Sequence, residues 1–259
     1  MKKRGAESSA GDERLLLIDV SNSFTKITIA RNGQIGSVRK ISTSTLTAHA
    51  AVKFPKADRA VISSVVPGAN QILRKLLPCP VLWVDHTTSG VNIRYPKPAS
   101  IGADRLANVA AAVGLGTLPA IVVDFGTAVT FDVIDSKGNY LGGIIAPGLS
   151  TAASALHERT ALLPLTKVQH ISSPVGKSTQ QGIRIGLLLG AVGIVREVVS
   201  RVSRETFDGK KPTILATGGD AALVARLAAD GGEQVIDSID PLLTLKGLLR
   251  IATTDLSNG

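Results

Sequence analysis

Two stretches decide the fold of this chain: residues 15–33, LLLIDVSNSFTKITIARNG, and residues 120–138, AIVVDFGTAVTFDVIDSKG. Each begins with an apolar run that ends at an aspartate, Asp19 or Asp124, as expected of a buried strand that meets a polar turn. A second strand and a hairpin turn closed by glycine follow in both. The aspartates, Thr25 and Thr130, and the closing glycines match without a gap. We therefore predict two similar halves rather than a solenoid of many short repeats.

The rest of the chain alternates strand patterns with helix patterns, which predicts an α/β fold. A length of 259 residues suits one large or two small domains. Glycine and proline cluster at 114–119, where we place the boundary. The predicted organisation is a polar tail over 1–13, an N-terminal domain over 14–116 and a C-terminal domain over 117–259. Helices are predicted over 69–77, 101–115, 182–202, 221–229 and 242–252, and further strands over 60–66, 81–84 and 213–217.

Composition excludes several classes of function. Aromatic residues make up only 3% of the chain, so a surface that stacks nucleic-acid bases is nearly ruled out. The net charge of +9 is dispersed, which argues against a nucleic-acid partner and fits attraction of small anions. A single cysteine excludes an internal disulfide. The longest apolar helical stretch, 187–195, is too short for a membrane span. We therefore expect a cytoplasmic protein that makes no membrane contact.

The two strand–aspartate–turn motifs have a common chemistry. A carboxylate at a strand end, followed by small hydroxyl residues on a tight turn, gathers oxygens and backbone N–H groups around one point. Such a group suits a cation and phosphate oxygens. An aspartate that only satisfies the backbone of its turn is the alternative for either motif alone. The repeat favours phosphate binding.

A third constellation runs from Tyr95 to Arg105. Gly102 permits close backbone approach, and Asp104 and Arg105 stand at the predicted start of a helix, where the helix dipole favours anions. Asp104 can accept the proton of a substrate hydroxyl, and Arg105 can bind an anionic group through two hydrogen bonds. An aspartate that merely stabilises the helix dipole beside an exposed arginine is the alternative.

Three glycine-containing segments are weaker signals. Residues 142–148 require a sharp bend or a close approach to a ligand, unless they form a plain turn. Residues 176–179, GKST, lack the upstream glycine and strand of a phosphate-binding P-loop, which excludes that motif, although Thr179 keeps a hydroxyl for a loop contact. Residues 216–220, ATGGD, end a strand where an adenine or ribose can lie.

In this order the motifs resemble the type III pantothenate kinases, also called Bvg accessory factor homologues. The resemblance covers roughly residues 15–250. It is carried by Asp19-x-x-Asn22, Ser63-Ser64-Val65-Val66-Pro67, Gly102-x-Asp104-Arg105, Asp124-x-Gly126-Thr127-Ala128-x-Thr130, Gly142-Gly143-x-Ile145-x-Pro147-Gly148, Thr160-Ala161-x-Leu163-Pro164 and Thr217-Gly218-Gly219.

The resemblance implies two duplicated ribonuclease-H-like domains, the fold of the actin-like ATPase superfamily, with the nucleotide in the interdomain cleft. It implies transfer of the ATP γ-phosphate to the primary hydroxyl of pantothenate, which gives 4'-phosphopantothenate in the first step of coenzyme A biosynthesis. The implied cofactors are ATP with Mg²⁺ and a monovalent cation, K⁺ or NH₄⁺. The implied assembly is a homodimer whose substrate site lies near the subunit interface.

The family's functional residues carry over onto matching positions. Asp104 is implied as the catalytic base and Asp124 as the ligand of the monovalent cation. Thr179 is implied to come from the neighbouring subunit. The implied pantothenate site consists of Tyr95, Gly102, Ala103, Asp104, Arg105 and Thr179. The implied ATP site consists of Asp19, Val20, Ser21, Asn22, Ser23, Phe24, Thr25, Lys26 and Thr127.

The first loop departs from the family pattern Asp-x-Gly-Asn-Thr. Ser21 and Ser23 stand at the glycine and threonine positions, so a side chain is present where glycine allows close approach to phosphates. This departure motivates one alternative, a non-catalytic regulatory or ligand-binding dimer on the same fold. A phosphatase of the same superfamily is a third possibility, against which the segment from Gly102 to Arg105 and Tyr95 indicate an organic acceptor.

Overall fold

The computed structural model describes residues 13–48, 52–232 and 234–256. Residues 1–12 of the predicted tail lie outside this range. The strands are β1 (Leu15–Val20), β2 (Phe24–Arg31), β3 (Gln34–Ile35), β4 (Arg39–Ser42), β5 (Arg59–Ser64), β6 (Val81–Trp83), β7 (Ala120–Phe125), β8 (Ala128–Ile134), β9 (Tyr140–Pro147), β10 (Thr213–Gly218) and β11 (Ser238–Ile239). The helices are α1 (Thr43–Thr47), α2 (Pro67–Leu76), α3 (Ala103–Leu115), α4 (Leu149–Glu158), α5 (Thr179–Thr206), α6 (Ala221–Asp230) and α7 (Leu243–Leu256).

These elements form two compact units. The first unit contains the described residues up to 90, residues 97–114 and the described residues from 244 onward; the second contains 91–96 and the described residues of 115–243. A single cut between residues 116 and 117 does not describe this grouping, because the last helix packs within the first unit. Its Thr244 hydroxyl donates to the buried side-chain oxygen of Asn108 on α3 at 2.8 Å.

The first unit is built around a six-stranded sheet in the order β3-β2-β1-β5-β6, with β4 also paired to β2. Strand β1 runs antiparallel to β2 and parallel to β5. All six residues of β1 are buried, as its apolar sequence predicts. Leu16, Ile18 and Val20 face a core formed with α2, so Asp19 lies on the opposite face of the sheet because side chains alternate along a strand.

The second unit repeats this plan in a five-stranded sheet, in the order β11-β10-β7-β8-β9. Here β7 runs antiparallel to β8 and parallel to β10. Its core lies on the face that contains Val123 and Phe125, against α5 and α6. The predicted α/β fold with two similar halves is therefore confirmed, and each aspartate is the penultimate residue of the central strand of its sheet.

The match between the halves differs in one detail from the gapless repeat in the sequence. Thr25 pairs with Val20, whereas Thr130 pairs with Asp124. The register shifts by one residue because three residues connect β1 to β2 and only two connect β7 to β8. The equivalence of Thr25 and Thr130 is therefore wrong in the structure, although both hairpin glycines, Gly33 and Gly138, lie in turns at positive φ as predicted.

The segment with the weakest sequence signal is a regular strand. Residues 140–147 form β9, paired along its length with β8, and a register irregularity lies between Val133 and Ile134. Gly142, opposite Val133, has a φ of 137°, which explains why glycine is needed there. None of the helices in the described ranges combines the length and the apolar character that a membrane crossing requires.

Candidate functional site

The first phosphate-loop candidate lies between β1 and β2, at the carboxyl end of β1. The Ser21 N–H donates to the carbonyl of Phe24 at 3.1 Å and closes the turn. Thr43, at the start of α1, holds the loop from outside: its hydroxyl donates to the carbonyl of Ser21 at 2.7 Å, and its N–H donates to the carbonyl of Ser23 at 3.0 Å. Asn22 and Ser23 are exposed.

Ser21 fits this loop without backbone strain. In the described chain, the only residues other than glycine at positive φ are Asn32 and Asp208. At Gly126, the corresponding residue of the second unit, an added Cβ would be 3.6 Å from the nearest atom, the carbonyl oxygen of Ala128, which is ordinary contact. The fold of the loop therefore does not require glycine, and serine in place of the family's glycine leaves its shape intact.

Asp104 lies in the first turn of α3. Its carboxylate accepts a hydrogen bond from the Arg105 N–H at 2.8 Å. A Cβ added to Gly102 would lie 2.5 Å from the same oxygen, so glycine leaves room for this orientation of the carboxylate. Burial raises the pKa of Asp104, and the hydrogen bond and positive charge of Arg105 lower it in part. A carboxylate whose pKa is shifted by burial and by a neighbouring charge is typical of a catalytic site.

The start of α3 lies near the same end of the sheet as the phosphate loop. The Cβ position of Gly102 is 3.6 Å from a methyl group of Val65, and the Val65 N–H donates to the carbonyl of Val20 at 3.1 Å. Ligands of open α/β sheets bind outside the carboxyl ends of the parallel strands. The first unit thus brings Asp104 and Arg105 to the end of the sheet that holds residues 19–26.

The second phosphate-loop candidate lies between β7 and β8. Gly148 packs directly on it, because a Cβ there would overlap the carbonyl oxygen of Gly126 and lie 2.6 Å from that of Thr127. The Thr151 hydroxyl of α4 donates to the Thr127 carbonyl at 2.6 Å. The exposed side chain of Thr127 is thereby presented on a fixed backbone.

Asp124 precedes this loop and lies against β10. A Cβ on Gly218 would lie 2.6 Å from the Asp124 carboxylate, so this carboxylate lies very close to the backbone of β10. Gly218 itself has a φ of 95°. Within the described residues, no cluster of three or more histidine, cysteine, aspartate or glutamate side chains forms a metal site.

The remaining predicted site residues lie elsewhere in the second unit. Tyr95 is 40% exposed; its ring packs against Tyr140, with 6.4 Å between centroids. The ring edge also lies 3.7 Å from the Cβ position of Gly142, which β9 therefore leaves open. Thr179 is the exposed first residue of α5, directly after the N-cap Ser178, whose side chain accepts from the Gln181 N–H.

Sequence reasoning missed several residues that shape these loops. Thr43 and Thr151 hold the two loops through their hydroxyls. The sequence carries no local signal for these two residues because their contacts span 22 and 24 residues. Asp220 was seen only as part of a glycine-containing strand end. Burial raises its pKa, and its N–H donates to the Phe125 carbonyl at 3.3 Å, which places it beside the second loop.

The two similar sheets, each with an aspartate near the end of its central strand and a tight loop after it, form a duplicated α/β fold of the actin-like kind. The solved structures agree on the fold. A protein from Campylobacter jejuni described as a Baf family transcriptional activator is 18% identical, with a TM-score of 0.64 over 93% of this chain and 99% of the other. MreB 5 of Spiroplasma citri, solved with AMPPNP, is 12% identical, with a TM-score of 0.52 over 95% of this chain and 98% of the other.

Sequence comparisons give the family. The model of the type III pantothenate kinases matches residues 15–201. The type III pantothenate kinase of Methylacidiphilum infernorum is 40% identical over 90% of this chain and 86% of its own length; that of Akkermansia muciniphila is 42% identical over 92% and 97%. The chain belongs to the type III pantothenate kinase family, as the motifs predicted.

Proposed function

We propose that this protein transfers the γ-phosphate of ATP to the primary hydroxyl of pantothenate, with Asp104 as the base. Membership of the family makes the chain an ATP-dependent kinase that acts on pantothenate, with ATP bound as its Mg²⁺ complex. The observation that supports Asp104 is its position: a desolvated carboxylate at the start of α3, beside the carboxyl ends of β1 and β5.

The proposed step breaks one bond and forms one. The hydroxyl oxygen of pantothenate attacks the γ-phosphorus, the bond from that phosphorus to the β,γ-bridging oxygen breaks, and ADP leaves. The hydroxyl proton passes to the carboxylate of Asp104. Phosphoryl transfer needs chiefly positioning and charge neutralisation, and Asp19, Val20, Ser21, Asn22, Ser23, Phe24, Thr25, Lys26 and Thr127 are the residues we assign to the nucleotide.

The acceptor is assigned to the residues around Asp104. Gly102 leaves room beside the carboxylate of Asp104, and we assign Gly102 and Ala103 to the pantothenate site with it. Arg105 is assigned to the carboxylate of pantothenate, which a guanidinium can bind through two hydrogen bonds. Tyr95 and Thr179 complete the proposed pantothenate site. Their exposure in the second unit is consistent with contact to a ligand.

Asp124 is our candidate for binding a monovalent cation, K⁺ or NH₄⁺. The residues around Asp124 fit such a cation. Its carboxylate lies close to Gly218 on β10, and Thr217 on the same strand is in register with Asp124. Such a cation would supply positive charge near the second loop, while Mg²⁺ arrives with the nucleotide. Asp124 itself fixes the position of that charge.

A homodimer is proposed from the surface of α5. Gly182, Gly186, Gly190 and Gly193 have no atom within 4 Å of their Cβ positions, so packing within the described chain does not require glycine. Each glycine costs a helix about 1 kcal/mol relative to alanine. A backbone that must approach closely to a second copy accounts for the cost. A cytoplasmic location remains a prediction from the sequence.

Replacement of Asp104 by asparagine tests the assignment of the base. We expect the kcat of Asp104→Asn for phosphorylation of pantothenate to fall about 10²- to 10⁴-fold, since that is the usual contribution of a positioned general base, while nucleotide affinity stays within about twofold. Transfer of labelled phosphate from ATP measures the first, and equilibrium dialysis the second.

Asp208→Asn is the matched control, because Asp208 is an exposed turn residue at positive φ that asparagine adopts equally well. Unchanged turnover in Asp104→Asn would overturn the role of this residue. A wild-type protein that binds both ligands but forms no phosphopantothenate would instead support the non-catalytic alternative, which no comparison favours.

A further inference from the structure

The parallel strands place a hydroxyl beside each strand-ending aspartate. Ser63 on β5 is in register with Asp19 on β1, and Thr217 on β10 is in register with Asp124 on β7. Partners in register share a face of the sheet. The sequence repeat does not show this equivalence, because Ser63 and Thr217 are 154 residues apart and the aspartates 105.

Both hydroxyls are buried and lack a hydrogen bond. Ser63 is 0% and Thr217 1% exposed, and the hydroxyl oxygen of each has no partner among the described residues. A buried polar group without a partner is costly and rare in folded proteins, and commonly marks the place of a water or an ion. The position beside a carboxylate makes a ligand the simplest explanation.

The residues across the antiparallel strand distinguish the two units. In the first unit, Lys26 on β2 pairs with Asp19, so the row across the sheet runs lysine, aspartate, serine and already contains an ammonium group. In the second unit, Thr130 on β8 pairs with Asp124, so the row runs threonine, aspartate, threonine. The second row offers only oxygens.

We propose that the Thr217 hydroxyl is a further ligand of the monovalent cation that Asp124 binds. This inference rests on the proposed function, which assigns the cation to Asp124. Neutral oxygens around one carboxylate can replace the hydration shell of a potassium-sized ion and balance its single charge. In the first unit, Lys26 occupies the corresponding register position and brings a positive charge of its own, so the same argument gives no second cation beside Ser63.

Cation-dependent stability tests the proposal without relying on turnover. The melting temperature is measured against KCl, with tetramethylammonium chloride keeping the ionic strength constant. A ligand that binds only the native state raises the melting temperature by mass action. Thr217→Val keeps the shape of the side chain and removes the hydroxyl. We expect the KCl concentration needed for a given rise in melting temperature to increase about 10-fold or more, as expected when a polar group that binds a charge is lost.

Two variants control for packing. Thr217→Ser retains the hydroxyl and should restore a KCl response close to that of the wild type. Ser63→Ala removes the equivalent buried hydroxyl of the first unit and should leave the KCl response unchanged. A wild-type response in Thr217→Val overturns the inference, and so does a loss in Thr217→Val that Thr217→Ser does not restore, because a packing defect then explains it.

Asp124→Asn separates this inference from the proposal on which it rests. If Asp124→Asn abolishes the response to KCl and Thr217→Val does not, Asp124 keeps its role and the inference about Thr217 fails. If Asp124→Asn responds like the wild type, or the wild type shows no response to KCl beyond that to tetramethylammonium, the assignment of the cation to Asp124 fails and the inference falls with it.

Discussion

At the scale of single residues, the shifted pKa of Asp104 affects both stability and catalysis. Burial disfavours the ionised carboxylate and raises its pKa, and the Arg105 N–H and guanidinium offset part of the effect. Because the folded pKa exceeds the unfolded one, the native state holds the proton more tightly. Any stability linked to Asp104 is therefore present below the unfolded pKa, about 3.9, and is lost as pH rises through the folded pKa.

The same shift gives a prediction for catalysis. A base must be ionised, so kcat/KM should rise with pH along an acidic limb that lies above the ordinary aspartate pKa of about 3.9. Arg105→Gln removes a charge that lowers the pKa of Asp104 and should move this limb to higher pH. Arg226→Gln, an exposed change on α6, should leave it in place. A pH–rate profile for the three proteins checks this, and a limb that Arg105→Gln leaves unmoved would contradict it.

Candidate site residues were found from the sequence where short-range patterns mark them, and were missed where their importance depends on distant parts of the chain. Asp19, Asp124 and Asp104 stand at strand or helix ends, which short-range patterns reveal. Thr43, Ser63 and Thr217 matter because of what the sheet places beside them: Ser63 lies in register with Asp19 across 44 residues, and Thr217 with Asp124 across 93. One sequence contains no signal for such register, because it depends on how separate strands pair.

At the scale of elements, strongly patterned segments were predicted closely. The helix predicted over 182–202 is the core of α5, and the strand predicted over 213–217 is β10 within one residue. Strand β9 and helix α4 were missed. The glycines of β9 weaken a strand pattern, and its pairing with β8 provides the regularity that its own sequence lacks.

The contact between α3 and α7 is the element-scale feature that positions Asp104. A Cβ on Gly247 would overlap the carbonyl oxygen of Ala107, so the two helices touch backbone to backbone. Arg59 also binds α7, since its guanidinium donates to the Ala252 carbonyl at 2.9 Å. The last helix of the chain thus supports the helix that carries Asp104, the proposed base.

Gly247→Ala should therefore destabilise the protein by about 1–3 kcal/mol, the usual cost of an overpacked core, because one helix must move away from the other. Chemical denaturation measures the change. Gly68→Ala on α2 is the control: no atom lies within 4 Å of its Cβ position, so it should be neutral or stabilising by up to about 1 kcal/mol. Equal stability of both variants would show that the α3–α7 contact tolerates a methyl group.

At the scale of the whole molecule, the duplicated fold explains why the residues of two short stretches, 15–33 and 120–138, were enough to predict two similar halves. Each half has its candidate phosphate loop at the carboxyl end of its central strand. The sequence predicted a single boundary between residues 116 and 117, and it did not predict the return of the last helix to the first unit. That return depends on the contacts of Gly247 and Thr244, which are remote in sequence from α3.

The exposed glycine face of α5 carries the last prediction, the oligomeric state. Gly186 and Gly190 lie one turn apart, both exposed, next to Leu189, which is 44% exposed. Gly186→Gln combined with Gly190→Gln should favour the helix but keep a second backbone at a distance. We expect the wild type to sediment as a dimer and the double variant as a monomer with unchanged circular dichroism.

Ala222→Gln, an exposed small-to-glutamine change on α6, should sediment like the wild type, which separates the effect of position from that of side-chain size.

The consequence for activity follows from the proposed origin of Thr179 in the neighbouring subunit. If each site uses Asp104 of one copy and Thr179 of the other, mixing inactive Asp104→Asn with inactive Thr179→Arg rebuilds one intact site per mixed dimer, and activity returns. A dimeric double-glutamine variant would contradict the assignment of the interface to α5, and a mixture that stays inactive would contradict the shared site, because two lesions in one self-contained site cannot complement each other.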